Sequence, residues 1–135
     1  MPKFSQRSFS QLASCHIELQ TLFYEVIRTV DCKILEGFRN ESDQNKAFEE
    51  GKTELRWPSG RHNLRPSMAV DAAPYPVNWE NTKRFFWFGG YVLGIAHRLK
   101  SEGKMTFSVR WGGDWDGDHD FDDQSLNDLV HFELI

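Results

Sequence analysis

At 135 residues, 39% of them apolar and 14% aromatic, the chain can fill one hydrophobic core but not several. Its net charge of −4 argues against a nucleic-acid binder. Membrane insertion is not expected either: the longest apolar patch, residues 85–95, carries three glycines and falls short of the roughly 20 residues a bilayer span needs.

The charge is uneven. Positions 114–123 hold six aspartates, and the remainder without them is slightly basic, which suits approach to an anionic polymer. Met1-Pro2-Lys3-Phe4 has no apolar run behind its basic residue, so cytoplasmic synthesis without a secretory signal is expected. In that setting Cys15 and Cys32 are expected to be reduced thiols in the core.

Leu12, Leu19, Leu22, Phe23, Val26 and Ile27 recur at helical spacings and predict an amphipathic helix over residues 10–29, capped by Ser8 or Ser10. Cys32-Lys33-Ile34-Leu35 is strand-like and stops at Glu36-Gly37. A second helix is expected from Ser42 or Asp43 to Gly51 at its C′ position. Pro58, Gly60, Pro66, Pro74 and Pro76 interrupt the next stretch and leave room only for a short strand at 68–72. A third helix should run from Asn78 or Asn81 to Ser101, with Gly103 stopping it. Its Phe85, Phe86, Phe88, Val92, Leu93, Ile95, Ala96 and Leu99 cover much of its circumference, which places it centrally in the core. Residues 105–111 alternate as a strand with Phe107 and Val109 on one face; an aspartate-rich loop follows, and 129–135 form a last strand. The expected fold is α+β, a small antiparallel sheet with about three helices.

Of five histidines, His16 and His97 fall within helical patterns and read as structural or surface residues. His62, His119 and His131 lie in irregular or terminal segments, where sites concentrate. Asp71, within Met68-Ala69-Val70-Asp71-Ala72, would be costly to bury alone and calls for a cation, a donor cluster or a metal. Asp128 and His131 form a D-x-x-H pair ahead of Phe132-Glu133-Leu134. Two imidazoles and one carboxylate make a catalytic zinc set, with the fourth position left for water. A further carboxylate off the metal would accept that water's proton. By pattern alone, the simpler reading of a capping aspartate and a surface histidine is the stronger.

The run Ser59-Gly60-Arg61-His62-Asn63-Leu64-Arg65-Pro66-Ser67-Met68-Ala69-Val70-Asp71-Ala72-Ala73-Pro74-Tyr75-Pro76 resembles the zinc peptidases that include D-Ala-D-Ala carboxypeptidases and VanX-type dipeptidases. Within them it is most similar to short bacteriophage endolysins that act as L-alanyl-D-glutamate peptidases. Gly37-Phe38-Arg39, Trp111-Gly112-Gly113-Asp114-Trp115-Asp116 and Asp128-Leu129-Val130-His131-Phe132-Glu133 match further motifs of that group in order, so the likeness runs from position 37 to the end. It implies zinc on His62, Asp71 and His131 in a surface cleft, with Asp128 as catalytic acid/base. It also implies that Arg39 binds substrate or steadies the developing oxyanion, and that Ser59 and Arg61 orient the first ligand or line the cleft.

The implied activity is hydrolysis of the L-alanyl-D-glutamate bond of the peptidoglycan stem peptide. Alternatives are a D-Ala-D-Ala carboxypeptidase of the same family and a non-catalytic metal-binding module that docks on the wall. Length and likeness together imply one catalytic domain over residues 1–135, a monomer without a separate wall-binding domain, suited to a thin Gram-negative wall. A holin-type partner would then release it from the host cytoplasm to the periplasm. Two departures stand out. Relatives commonly place the ligand aspartate seven residues after the histidine, whereas here the step is nine and contains Pro66. Carboxypeptidase relatives commonly have Glu where Asp128 stands.

Asp114, Asp116, Asp118, Asp120 and Asp122 alternate, with Gly117 and Asp123 beside them, much as in the first half of a calcium loop. The match is partial, since Gly117 sits a position early and the twelfth residue from Asp114 is Ser125. Calcium binding and a solvated acidic rim of the cleft both remain open on this pattern. His119, inside the loop, is expected to be exposed and not a ligand.

Overall fold

The computed structural model describes residues 2–123 and 127–135. Ser125, the last position of the calcium-loop comparison, lies outside them. The first predicted helix is two helices, α1 (Gln6–Ala13) and α2 (Ile17–Ile27), so the described chain has four α-helices rather than three. Ser5, not Ser8 or Ser10, caps α1 by accepting from the Ser8 amide at 3.1 Å. His16 is not inside a helix: its Nδ1 accepts from the Glu18 amide at 3.0 Å and caps α2. The interruption has a tertiary cause. The His16 amide donates to the Ser67 carbonyl and the Ser67 amide to the Ser14 carbonyl, docking a distant loop into the gap.

The remaining elements are β1 (Cys32–Glu36), α3 (Glu41–Glu49), β2 (Ala69–Pro74), α4 (Thr82–Ser101), β3 (Val109–Gly112) and β4 (Asp128–Leu134). Asn40 rather than Ser42 or Asp43 caps α3, its Oδ1 accepting from the Asp43 amide. Helices α3 and α4 end just ahead of Gly51 and Gly103, as their sequences predict. Strand β3 starts later than residue 105 because the Thr106 and Phe107 amides donate to the Glu18 carboxylate on α2 instead of to a strand.

The four strands are antiparallel in the order β1-β2-β4-β3. Strand alternation divides them: Val70, Ala72, Phe132 and Leu134 join the core, while Asp71, His131 and Glu133 take the other face. The core side packs on α2 and α4, with Phe132 meeting Phe23 and Phe88 edge to face at ring separations of 5.6 and 6.2 Å. Cys15 and Cys32 are buried free thiols, each pushed up to about 12 by burial.

Candidate metal centre and its cleft

The sheet register assembles half of the site. Asp71 at the middle of β2 pairs with Glu36 on β1 and with His131 on β4, so its carboxylate and the His131 imidazole emerge side by side. The other half comes from a short 3-10 turn, residues Arg61–Asn63, that carries His62. The Met68 amide donates to the Arg61 carbonyl at 3.1 Å, closing the long step to β2. The nine-residue spacing therefore still delivers His62 Nε2 to 3.2 Å from Asp71 Oδ1.

Each imidazole is fixed from behind. His62 Nδ1 donates to the Gly37 carbonyl at 2.7 Å, which leaves Nε2 with its lone pair toward Asp71. His131 Nε2 donates to Glu133 Oε1 at 2.7 Å, and Nδ1 lies 3.4 Å from the same Asp71 oxygen. In its neutral form each ring thus aims a lone pair at a carboxylate, an arrangement that requires a positive charge between them. His62, Asp71 and His131 form a group able to hold a metal ion, one donor atom from each lying within 4.8 Å of the others.

The electrostatics of these groups pull the same way. Burial works against an Asp71 anion, yet His62 and His131 outweigh it and hold the carboxyl well below the usual range. Burial alone would lower His131; hydrogen bonds to Asp71 and Glu133 reverse that and raise it to about 9. Without a metal, a proton takes the cation's place. Arg39 reaches the cluster too, bonding Glu36 at 2.9 Å, Gln44 at 3.1 Å and Asp71 Oδ2 at 3.5 Å.

Asp128 lies beside the set, its Oδ2 3.9 Å from His131 Nδ1. Gly112 permits this approach: a Cβ there would come within 2.1 Å of the Asp128 carbonyl. Burial, and next the Asp71 charge, push the Asp128 carboxyl up to about 6.

Gly37 is positioned by α1. Its amide donates to Gln11 Oε1 and that of Phe38 to Ser14 Oγ, and a Cβ on Gly37 would meet the Gln11 carbonyl at 2.2 Å. Glu133, buried behind His131, is held by Arg110 at 2.8 Å and Arg61 at 3.5 Å. The sequence reading missed both supports. Strand alternation from His131 would have found Glu133, since i and i+2 share a face. A backbone carbonyl 25 residues away leaves no such trace.

The cluster opens into a cleft of about 1280 Å³, room for a peptide strand rather than a single amino acid. Arg39, Ser59, Arg61, Trp79 and Trp115 help line it. The Trp115 ring lies 5.3 Å from that of His131, and Trp79, largely exposed, stacks on Phe85. His97 and His119 are exposed. In the acidic loop Asp114, Asp116 and Asp118 converge; among the described residues Asp120 and Asp122 are not part of that group.

Two histidines and a carboxylate converging at the floor of a cleft, with a second carboxylate alongside, are the makings of a metal-assisted hydrolase. The chain belongs to the phage L-alanyl-D-glutamate peptidase family, whose model matches residues 1–135. No curated protein matches it in sequence. Its fold is shared with the crystal structure of Serratia marcescens L-Ala D-Glu endopeptidase ChiX. The two have a TM-score of 0.74 and 23% identity, over 98% of this chain and 90% of that one.

Proposed function

We propose that this phage-type peptidoglycan endopeptidase cuts the L-alanyl-D-glutamate bond of the stem peptide, with zinc held by His62, Asp71 and His131 and Asp128 as general acid/base. The observation that carries the reading is the pair of oriented imidazole lone pairs converging on Asp71, with Asp128 next to them. A set of two nitrogens and one oxygen with an open position suits zinc in a catalytic rather than a structural role. Zinc bound there supplies a water of lowered pKa and polarises the scissile carbonyl.

The protein's own groups do the rest. Asp128, held at about 6, takes the proton of the attacking water and passes it to the leaving amine of D-glutamate. Glu133 and the Gly37 carbonyl keep both imidazoles in the tautomers that face the metal. Arg39, against Asp71, carries a positive charge into the cleft wall for the developing oxyanion or the substrate.

Residues 1–135 act as one catalytic unit and as a monomer on this reading. No helix among the described residues is long and apolar enough to cross a membrane. Release from the host cytoplasm to the periplasm is assigned to a holin-type partner. Asp128→Ala should lose wall lysis while still binding one zinc; undiminished lysis would refute the base assignment. Product masses separate this activity from that of a D-Ala-D-Ala carboxypeptidase, and the absence of any product would leave only a wall-docking module.

A further inference from the structure

We propose that Arg61 and Arg110 form an anion subsite that recognises the free α-carboxylate of the D-glutamate on the leaving side of the scissile bond. Both line the cleft. They reach it from different elements: Arg61 from the 3-10 turn and Arg110 from β3, where it pairs with Glu133. Cross-strand partners share a face of a sheet, so Arg110 stands on the face that carries Asp71 and His131.

Among the described residues the two guanidinium groups pair with one carboxylate, Glu133, and that carboxylate is already shared. Its Oε1 accepts from His131 Nε2 at 2.7 Å, so Oε2 alone serves both arginines, Arg110 at 2.8 Å and Arg61 Nε at 3.5 Å. Two positive charges meet one negative charge. The hydrogen bonding is short as well, since Arg110 Nε is buried with no partner. Arg39, the third arginine of the cleft, faces two carboxylates instead, Glu36 at 2.9 Å and Asp71 at 3.5 Å. The surplus therefore lies with Arg61 and Arg110, whose side chains are 37% and 39% exposed. Arg110 suffices to hold Glu133; the long Arg61 contact leaves that guanidinium available to a ligand.

The identity of the anion follows from the substrate, and so rests on the L-alanyl-D-glutamate peptidase reading. In the stem peptide the D-glutamate continues through its γ-carboxyl, which leaves its α-carboxylate free on the carbon bonded to the departing nitrogen. The L-alanine carboxyl is the scissile carbonyl and its amine is acylated, so that side offers no anion. Guanidinium groups bind a carboxylate through charge-assisted hydrogen bonds. An α-carboxamide would instead turn N–H donors toward N–H donors, so the same subsite rejects a stem peptide amidated at this position.

The peptide acetyl-L-Ala-γ-D-Glu-L-Lys, with its D-glutamate α-carboxylate free or amidated, tests the subsite. Zinc-loaded Asp128→Ala should bind the carboxylate form about 10–100-fold more tightly by calorimetry, and the parent chain should cut it with a similarly higher kcat/KM. At full zinc occupancy, Arg61→Gln and Arg110→Gln should each shrink this preference by about threefold or more, and the double variant should abolish it. Residues that only hold Glu133 would instead lower both peptides alike. No preference in the parent chain, binding of neither peptide, or a preference intact in the double variant would overturn the subsite. Arginine-dependent preference in binding, with neither peptide cut, would uphold the subsite and overturn the peptidase reading.

Discussion

Asp128 and Glu133 sit on either side of His131 along β4 and are tuned in opposite directions. As the proposed base, Asp128 must be ionised to accept a proton, and burial holds it at about 6, so kcat/KM should fall as pH drops through that value. A bound metal's positive charge moves this limb downward, never upward. In Asp128→Asn the limb should vanish with a loss of about 10²–10⁴ in rate, and a limb that persists would assign it to another group. Glu133 behaves conversely. Burial favours its neutral form, but His131 and Arg110 outweigh it and bring it from 4.5 down to about 2. A folded-state value below the unfolded one means that Glu133 stabilises the fold above pH 4.5, and that this is lost as pH falls toward 2. Glu133→Gln should weaken metal binding by about 10–100-fold, measured by competition with a chromogenic chelator. Unchanged affinity would mean that the Glu133 contact does not orient His131.

At the scale of elements, the break between α1 and α2 explains why His62 is where it is. The end of α1 supplies Gln11 and Ser14 to the amides of Gly37 and Phe38, and Gly37 in turn supplies the carbonyl that orients His62. Gly37→Ala should cost about 1–3 kcal/mol in urea unfolding, because its Cβ has no room against α1. Gly90→Ala, on α4 in open space, should instead stabilise by about 0.5–1 kcal/mol. Equal effects at the two positions would contradict the close approach of Gly37. This break is also where the sequence was least legible. Leu12 and Leu19 both face the core and keep helical spacing across it, so periodicity reads through residues 14–16 without interruption. Only the pairing with Ser67, more than 50 residues away, decides the break. The cluster of His62, Asp71 and His131 was far more legible, since ordered motifs from Gly37 to Glu133 carry its residues. The step from His62 to Asp71 looked like a departure, and the Arg61–Asn63 turn absorbs it locally.

Across the whole molecule, the site draws on parts that sequence separates widely: a turn at 61–63, the middle of β2, both ends of β4 and the carbonyl behind α1. Such a site exists only in the folded chain, so binding of the proposed metal would be linked to folding. The central claim joins that metal to one bond. Purified peptidoglycan should be digested with the zinc-loaded enzyme, with chelator, and with chelator followed by zinc, and the products identified by mass. The account predicts fragments ending in the L-alanine carboxyl and beginning with the D-glutamate amine, lost with chelator and restored by zinc. Cleavage at D-Ala-D-Ala instead, or cleavage that survives complete metal removal, would contradict it.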